Sequence, residues 1–186
     1  MRPALFLDRD GTINHDPGYL GDPDAVRLYD GVADALAELQ RDRDLPIFIV
    51  SNQSGVARGL FGREDVDAVN RRVEEALAER GVEVAKFFYC PHHPEFGEDC
   101  DCRKPKTGFA RKAAEQFDVD LRQSYMVGDS ECDRLFGENA GMTTIMVRTG
   151  NGAERLKILE KEGNLPSFVA DNLADACLYV QRELKS

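Results

Sequence analysis

Two carboxylates, Asp8 and Asp10, close a short apolar run in Leu5-Phe6-Leu7-Asp8-Arg9-Asp10-Gly11-Thr12, and a glycine that can turn the chain follows them. Solvated turns also favour Asp and Gly, so this segment alone could be a polar strand-to-loop cap. Carboxylates held this close repel, however, and the arrangement is costly unless a cation shares them. Mg²⁺, a hard cation served by oxygens, suits that task. Three other segments carry matching parts: Val50-Ser51-Asn52-Gln53 offers a hydroxyl and amides for a phosphoryl oxygen, Arg103-Lys104-Pro105 two adjacent positive charges, and Val127-Gly128-Asp129-Ser130 with Asp133 further carboxylate.

A second cluster lies between these parts. Cys90-Pro91-His92 and Cys100-Asp101-Cys102 place three of the five cysteines in one polar segment that has no apolar periodicity. That composition suits a tetrahedral Cys₃His zinc site, although the spacings are tighter than in the usual finger. His93 could replace His92 on residue type alone. Four protein ligands would leave no open position, so the zinc would be structural, fixing the 90–102 loop that delivers Arg103 and Lys104. Cys177 reads as a core residue, Cys132 takes no role, and His15 reads as a loop residue.

The elements that must position these groups follow from the apolar pattern. Residues 4–7, 46–50, 84–89, 125–127 and 144–147 are short, nearly continuous apolar runs that predict strands buried on both faces. Val32, Leu36 and Leu39 recur at helical spacing, as do Val66, Val69, Val73 and Leu77. The stretch from Asn172 to Leu184 reads as a closing helix. This order predicts an α/β fold: a doubly wound, mostly parallel, Rossmann-like sheet in one domain over residues 1–186. In such sheets ligands bind beyond the carboxyl ends of the strands, where Asp8, Ser51, Cys90, Gly128 and Asp129 fall.

The chain of 186 residues sets 24 Lys and Arg against 34 Asp and Glu, for a net charge of -10, with 42% apolar residues and a mean hydropathy of -0.44. Its length allows a full hydrophobic core. The acidic balance argues against a nucleic-acid partner, yet leaves room for a locally positive pocket that takes a small phosphorylated ligand. No apolar run is long enough for a membrane span or a signal-peptide core, so the expectation is a cytoplasmic monomer with reduced thiols.

The set Asp8-x-Asp10-Gly11-Thr12, Ser51, Lys104 and Gly128-Asp129 with Asp133, in that order, resembles the four motifs of the haloacid dehalogenase superfamily. The resemblance implies a phosphatase domain with no large cap. Asp8 would attack phosphorus to form an aspartyl-phosphate, and Asp10 would protonate the leaving oxygen and then activate water. Ser51 and Lys104 would stabilise the phosphoryl group, with Mg²⁺ held by Asp8, the backbone carbonyl of Asp10 and Asp129. A covalent carboxylate splits a slow hydrolysis into two easier steps. Asp10 must start protonated, which proximity to Asp8 favours and the cation opposes.

The run Ser51-Asn52-Gln53-Ser54-Gly55-Val56-Ala57-Arg58-Gly59, with Cys90-Pro91-His92-His93-Pro94 and Cys100-Asp101-Cys102-Arg103-Lys104-Pro105, resembles the branch of that superfamily that removes the 7-phosphate of D-glycero-D-manno-heptose 1,7-bisphosphate. The resemblance favours His92 as zinc ligand. It also implies substrate contacts from Asp16, Gly18, Tyr19, Asn52, Gln53, Ser54 and Arg103. One position departs from the pattern, Ser130, where many relatives carry a lysine. Histidinol-phosphate phosphatases share the motif set and the cluster and are the alternative enzyme reading. A non-catalytic, zinc-stiffened phosphosugar binder is the alternative of another class, disfavoured because a binder gains nothing from two repelling carboxylates.

Overall fold

The computed structural model describes residues 1–97 and 99–184; Glu98 in the 90–102 loop and the last two residues of the expected 1–186 domain lie outside the described residues. Six strands form one all-parallel sheet: β1 (Leu5–Leu7), β2 (Ile47–Asn52), β3 (Val84–Cys90), β4 (Tyr125–Gly128), β5 (Thr143–Val147) and β6 (Phe168–Ala170). They lie in the order β3-β2-β1-β4-β5-β6. The order reverses between β1 and β4, which opens a crevice at the carboxyl ends of these two strands. Asp8 follows the first of them and Asp129 the second.

Helices α1 (Val32–Arg43), α2 (Arg63–Ala78), α3 (Gly108–Phe117), α4 (Glu131–Ala140), α5 (Gly152–Glu162) and α6 (Leu173–Glu183) cover the sheet. Alternation along the strands decides which face each helix meets. Leu5, Leu7, Ile47 and Ile49 point to a core shared with Val32 and Leu36 of α1, Val69 and Val73 of α2, and Leu173 and Val180 of α6. Phe6, Phe48 and Val50 point the other way, to Phe109 and Ala113 of α3 and Phe136 of α4. Met146 on that side carries Leu156 and Leu159 of α5.

Two expectations shift. Strands β2, β3 and β4 run further than their apolar residues suggest, so that Ser51, Cys90 and Gly128 lie within strands rather than after them. The sheet also gains β6 at its edge, a run of only three apolar residues, of which Phe168 and Val169 are partly covered and Ala170 is buried. The closing helix falls within its expected bounds, with the Asn172 side chain accepting the Asp175 N–H at 3.0 Å as its cap, and Cys177 is a core residue there. Between β1 and α1 the described chain holds one short helical turn, Pro23–Ala25, and no large cap domain. None of the described helices is long and apolar enough to cross a membrane.

Candidate active site

β1 delivers Asp8 by pairing with β4: the Asp8 N–H donates to the Val127 carbonyl at 2.9 Å. The chain then turns back, with the Arg9 carbonyl accepting N–H groups from Thr12, Ile13 and Asn14. Gly11 has φ +82°, and its backbone and that of Gly150 pass so close to the Asp129 carboxylate that a Cβ on either would overlap it. Two glycines thus admit the Asp129 side chain to the crevice. Its Oδ2 accepts the Asn151 N–H at 2.8 Å, and Thr149 ties the same loop to the Gly11 carbonyl at 2.7 Å.

A cleft of about 190 Å³ opens here. Asp8, Asp10, Asp16, Gly18, Tyr19, Ser51, Asn52, Gln53, Ser54, Lys104 and Asp129 all line it, joined by Asn151 and Cys132. Arg103 does not. Its guanidinium donates to the His92 carbonyl at 3.0 Å, and it lines a neighbouring cavity of about 160 Å³ that shares Lys104 with the cleft.

Lys104 is buried, and its ammonium meets Asp8 Oδ1 at 2.5 Å, Asp133 Oδ1 at 2.6 Å and the Val50 carbonyl at 2.5 Å. Burial alone would lower its pKa; the Asp133 and Asp8 charges outweigh burial and hold it far above the ordinary value, so it is a fixed cation. Asp133 is more than spare carboxylate. While Oδ1 holds Lys104, Oδ2 accepts from Ser130 N at 3.1 Å and Ser130 Oγ at 2.5 Å, closing the first turn of α4. That gives Ser130 a local role at its departing position.

Asp8, Asp129 and Asp133 bring carboxylate oxygens within 4.8 Å of one another. Burial and then its carboxylate neighbours push Asp8 well above the usual range despite Lys104. Burial and Asp133 raise Asp129 to about 6. Three buried carboxylates against one ammonium leave excess negative charge, and oxygen donors of this kind fit a hard divalent cation. These carboxylates therefore suit Mg²⁺.

At Asp10, where proximity to Asp8 and a cation would pull in opposite directions, the neighbouring donors decide. Its carboxylate accepts from Arg9 Nε at 3.1 Å, Arg9 Nη2 at 2.8 Å, Asn14 Nδ2 at 2.9 Å and Gln53 Nε2 at 2.8 Å. Burial pushes its pKa up, but the Arg9 charge and these bonds prevail and hold it below the ordinary value. Proximity to Asp8 does not keep it protonated, because four donors face it. Arg9, with no exposed surface, is anchored in turn on Asn70 Oδ1 of α2 at 2.7 Å. Gln53 also donates to Ser51 Oγ at 2.5 Å, linking the two motifs.

The sequence reading missed Arg9, Asn14 and Asn151. Arg9 carried a usable signal: a full charge between two motif carboxylates at the end of a buried strand requires a partner. Asn151 follows β5, and the strand-end rule that flagged the other segments could have reached it.

The four metal-binding candidates converge. Cys90 Sγ lies 3.6 Å from Cys100 Sγ, 3.1 Å from Cys102 Sγ and 3.6 Å from His92 Nδ1. All four ligand atoms lie within 4.8 Å of each other. Zn–S bonds of about 2.3 Å at tetrahedral angles give edges of about 3.7 Å, so the set has zinc dimensions. His93 turns away. Its Nε2 meets Arg58 at 3.1 Å and its Nδ1 accepts the Glu95 N–H at 3.2 Å, while Arg58 also stacks on Phe96.

Residues 101–176 match the HAD-hydrolase-like family model. The chain is 41% identical over 190 residues to the D-glycero-beta-D-manno-heptose-1,7-bisphosphate 7-phosphatase of Vibrio cholerae serotype O1, covering 99% of each chain. It is 38% identical over 190 residues to the enzyme of that name from Escherichia coli K12, covering 98% of this chain and 96% of the relative. The crystal structure of D,D-heptose 1,7-bisphosphate phosphatase from B. bronchiseptica, complexed with magnesium and phosphate, matches with a TM-score of 0.87 and 36% identity, covering 98% of this chain and 99% of that one. The chain belongs to the HAD-like hydrolases, as a phosphoric monoester hydrolase, and within them to the family of these heptose-bisphosphate phosphatases.

Proposed function

We propose that this chain removes the 7-phosphate of D-glycero-D-manno-heptose 1,7-bisphosphate, in nucleotide-heptose biosynthesis, through an aspartyl-phosphate on Asp8. The observation that carries the reading is the convergence of Asp8, Lys104 and Asp129 at the β1/β4 crevice, with Asp10 and Ser51 bridged by Gln53 beside them. One phosphatase domain over residues 1–186 performs the reaction, as a monomer in the cytoplasm.

Asp8, the Asp10 backbone carbonyl and Asp129 would hold Mg²⁺, which when bound offsets the charge of the phosphate and the carboxylates. An Asp8 oxygen attacks phosphorus and the bond to the sugar C7 oxygen breaks. Lys104, Ser51 and backbone N–H groups hold the equatorial oxygens as charge develops on them. Asp10, protonated, gives its proton to the departing oxygen, then as carboxylate takes one from the water that cleaves the aspartyl-phosphate. For the first step Asp10 needs the proton that the Arg9 charge and its resting hydrogen bonds disfavour. Cys90, His92, Cys100 and Cys102 hold a structural Zn²⁺ that keeps Arg103 and Lys104 in place.

The second phosphate projects outward toward the Asp16 to Tyr19 loop and Arg103, beside the cleft across Lys104. Histidinol phosphate has no second anion for Arg103, and losing a charge-assisted contact costs about 1.5–3 kcal/mol, roughly ten- to a hundredfold in kcat/KM. Steady-state kinetics on both C1 anomers of the bisphosphate and on histidinol phosphate test the assignment. The expected product is heptose 1-phosphate with one equivalent of phosphate. A kcat/KM for histidinol phosphate at or above that for both anomers overturns it.

A further inference from the structure

Phe61 lies behind the cleft, half-buried, at the end of the loop that leads into α2. Its ring is wedged between two glycines of different loops. A Cβ built on Gly21 would lie 2.6 Å from Phe61 Cδ1 and 2.8 Å from Cγ; one built on Gly55 would lie 2.5 Å from Cε1 and closer still to Cζ. Neither glycine has a left-handed φ. What requires glycine at both positions is the ring, not the backbone conformation.

Each glycine continues into a segment that lines the cleft: Gly18, Tyr19 and Leu20 on one side, Ser54 and Gly55 on the other. Phe61 itself is not in the lining. The 53–60 loop is a compact turn, with Arg58 N–H donating to the Ser54 carbonyl at 3.1 Å and Leu60 N–H to the Gly55 carbonyl at 2.9 Å. A shift at Gly55 therefore carries Ser54 with it. The reacting groups are held otherwise, Asp8 by β1, Ser51 by β2 and Asp129 by β4.

We propose that Phe61 is a positioning residue for the non-reacting end of the substrate, setting the spacing between the 18–21 and 53–60 loops and so the fit of the sugar and its second phosphate. This deepens the heptose bisphosphate assignment and rests on it. Strand-held chemistry and loop-held fit predict a split between kcat and KM.

The test is a cycle of Phe61→Leu, Gly55→Ala and the double variant. Phe61→Leu should raise KM for the bisphosphate about tenfold while kcat and the inhibition constant of inorganic phosphate stay within about threefold of wild type. Gly55→Ala places a methyl where the ring stands and should cause a similar loss. In the double variant the methyl fills space the ring vacated, so it should recover at least about half of the logarithmic loss expected from the sum of the singles. Additive losses, or kcat and phosphate affinity falling together with KM, overturn the proposal. If Phe61→Leu does not fold, Phe61→Met takes its place in the cycle. A wild type that leaves the heptose bisphosphate untouched defeats the substrate assignment, whereas additive losses in variants that still turn the bisphosphate over defeat only the role of Phe61.

Discussion

Asn52 holds the backbone of Lys104 by both of its polar groups: its Nδ2 donates to the Lys104 carbonyl at 3.1 Å, and its Oδ1 accepts the Lys104 N–H at 3.0 Å. A residue expected to touch substrate spends its amide on the neighbouring loop. Lys104 begins at the end of an irregular segment, so this pair fixes where its ammonium lands. Asn52→Ala should lower kcat about ten- to a hundredfold with a smaller change in KM, because two hydrogen bonds worth about 1 kcal/mol each are lost and the ammonium drifts. Wild-type kinetics in a folded Asn52→Ala would show that Lys104 needs no such hold.

Asp8→Asn should abolish turnover without unfolding the protein, since a carboxamide is no nucleophile and Lys104 keeps its partner Asp133. Asp10→Asn should cost several orders of magnitude. General acid-base help alone is worth roughly 10²–10⁴, so a folded Asp8→Asn retaining more than about one hundredth of wild-type kcat would refute the covalent scheme.

Elemental analysis of protein purified without chelator should find one zinc per chain, which thiolates select over the harder Mg²⁺. Cys100→Ser should lose it, with lower Tm and lower activity. Protein free of zinc, together with a Cys100→Ser variant as stable and active as wild type, would remove the cluster as a metal site.

Without Mg²⁺, stability should depend on pH in an unusual sense. Asp129, raised from 3.8 to about 6, binds a proton in the folded state between about pH 4 and 6 that the unfolded chain does not bind. Its contribution therefore favours folding at pH 5 and is lost as pH rises through about 6; Asp8 acts in the same direction. Asp10, held low, works the opposite way only as pH falls below its ordinary value. Mg²⁺ needs these carboxylates ionised. The rise in Tm on adding Mg²⁺ should thus be larger at pH 7.5 than at pH 5, and an equal rise at both would contradict the assignment of Asp129 as ligand.

Much of this architecture could be read in advance because buried parallel strands must be apolar along their length, and Leu5 to Leu7 or Ile47 to Val50 advertise that. β6 could not be read so, since Phe168 and Val169 at the sheet edge are only partly covered. The site was legible wherever an unusual residue type closes a strand, as at Asp8, Ser51 and Asp129. It was illegible where the role depends on a partner distant in sequence. Arg9 requires Asn70 of α2, Asn52 requires Lys104, and Phe61 gains meaning only from Gly21 and Gly55. The protonation of Asp10 stayed open in the sequence for the same reason: Gln53, 43 positions away, faces it.

The place of β1 between β2 and β4 has a consequence for synthesis. Asp8, Asp10, Ser51 and Lys104 are all translated before β4, yet β1 pairs with β4 through the Val127 carbonyl that seats Asp8. Pairing across so long a stretch of chain is slow to form, and nothing local replaces it. A nascent chain or fragment ending near residue 120 would carry the proposed nucleophile, the proposed acid and Lys104, and is expected to hydrolyse nothing. Competence is expected only once β4, Asp129 and the loop bearing Asn151 join a strand translated at the outset.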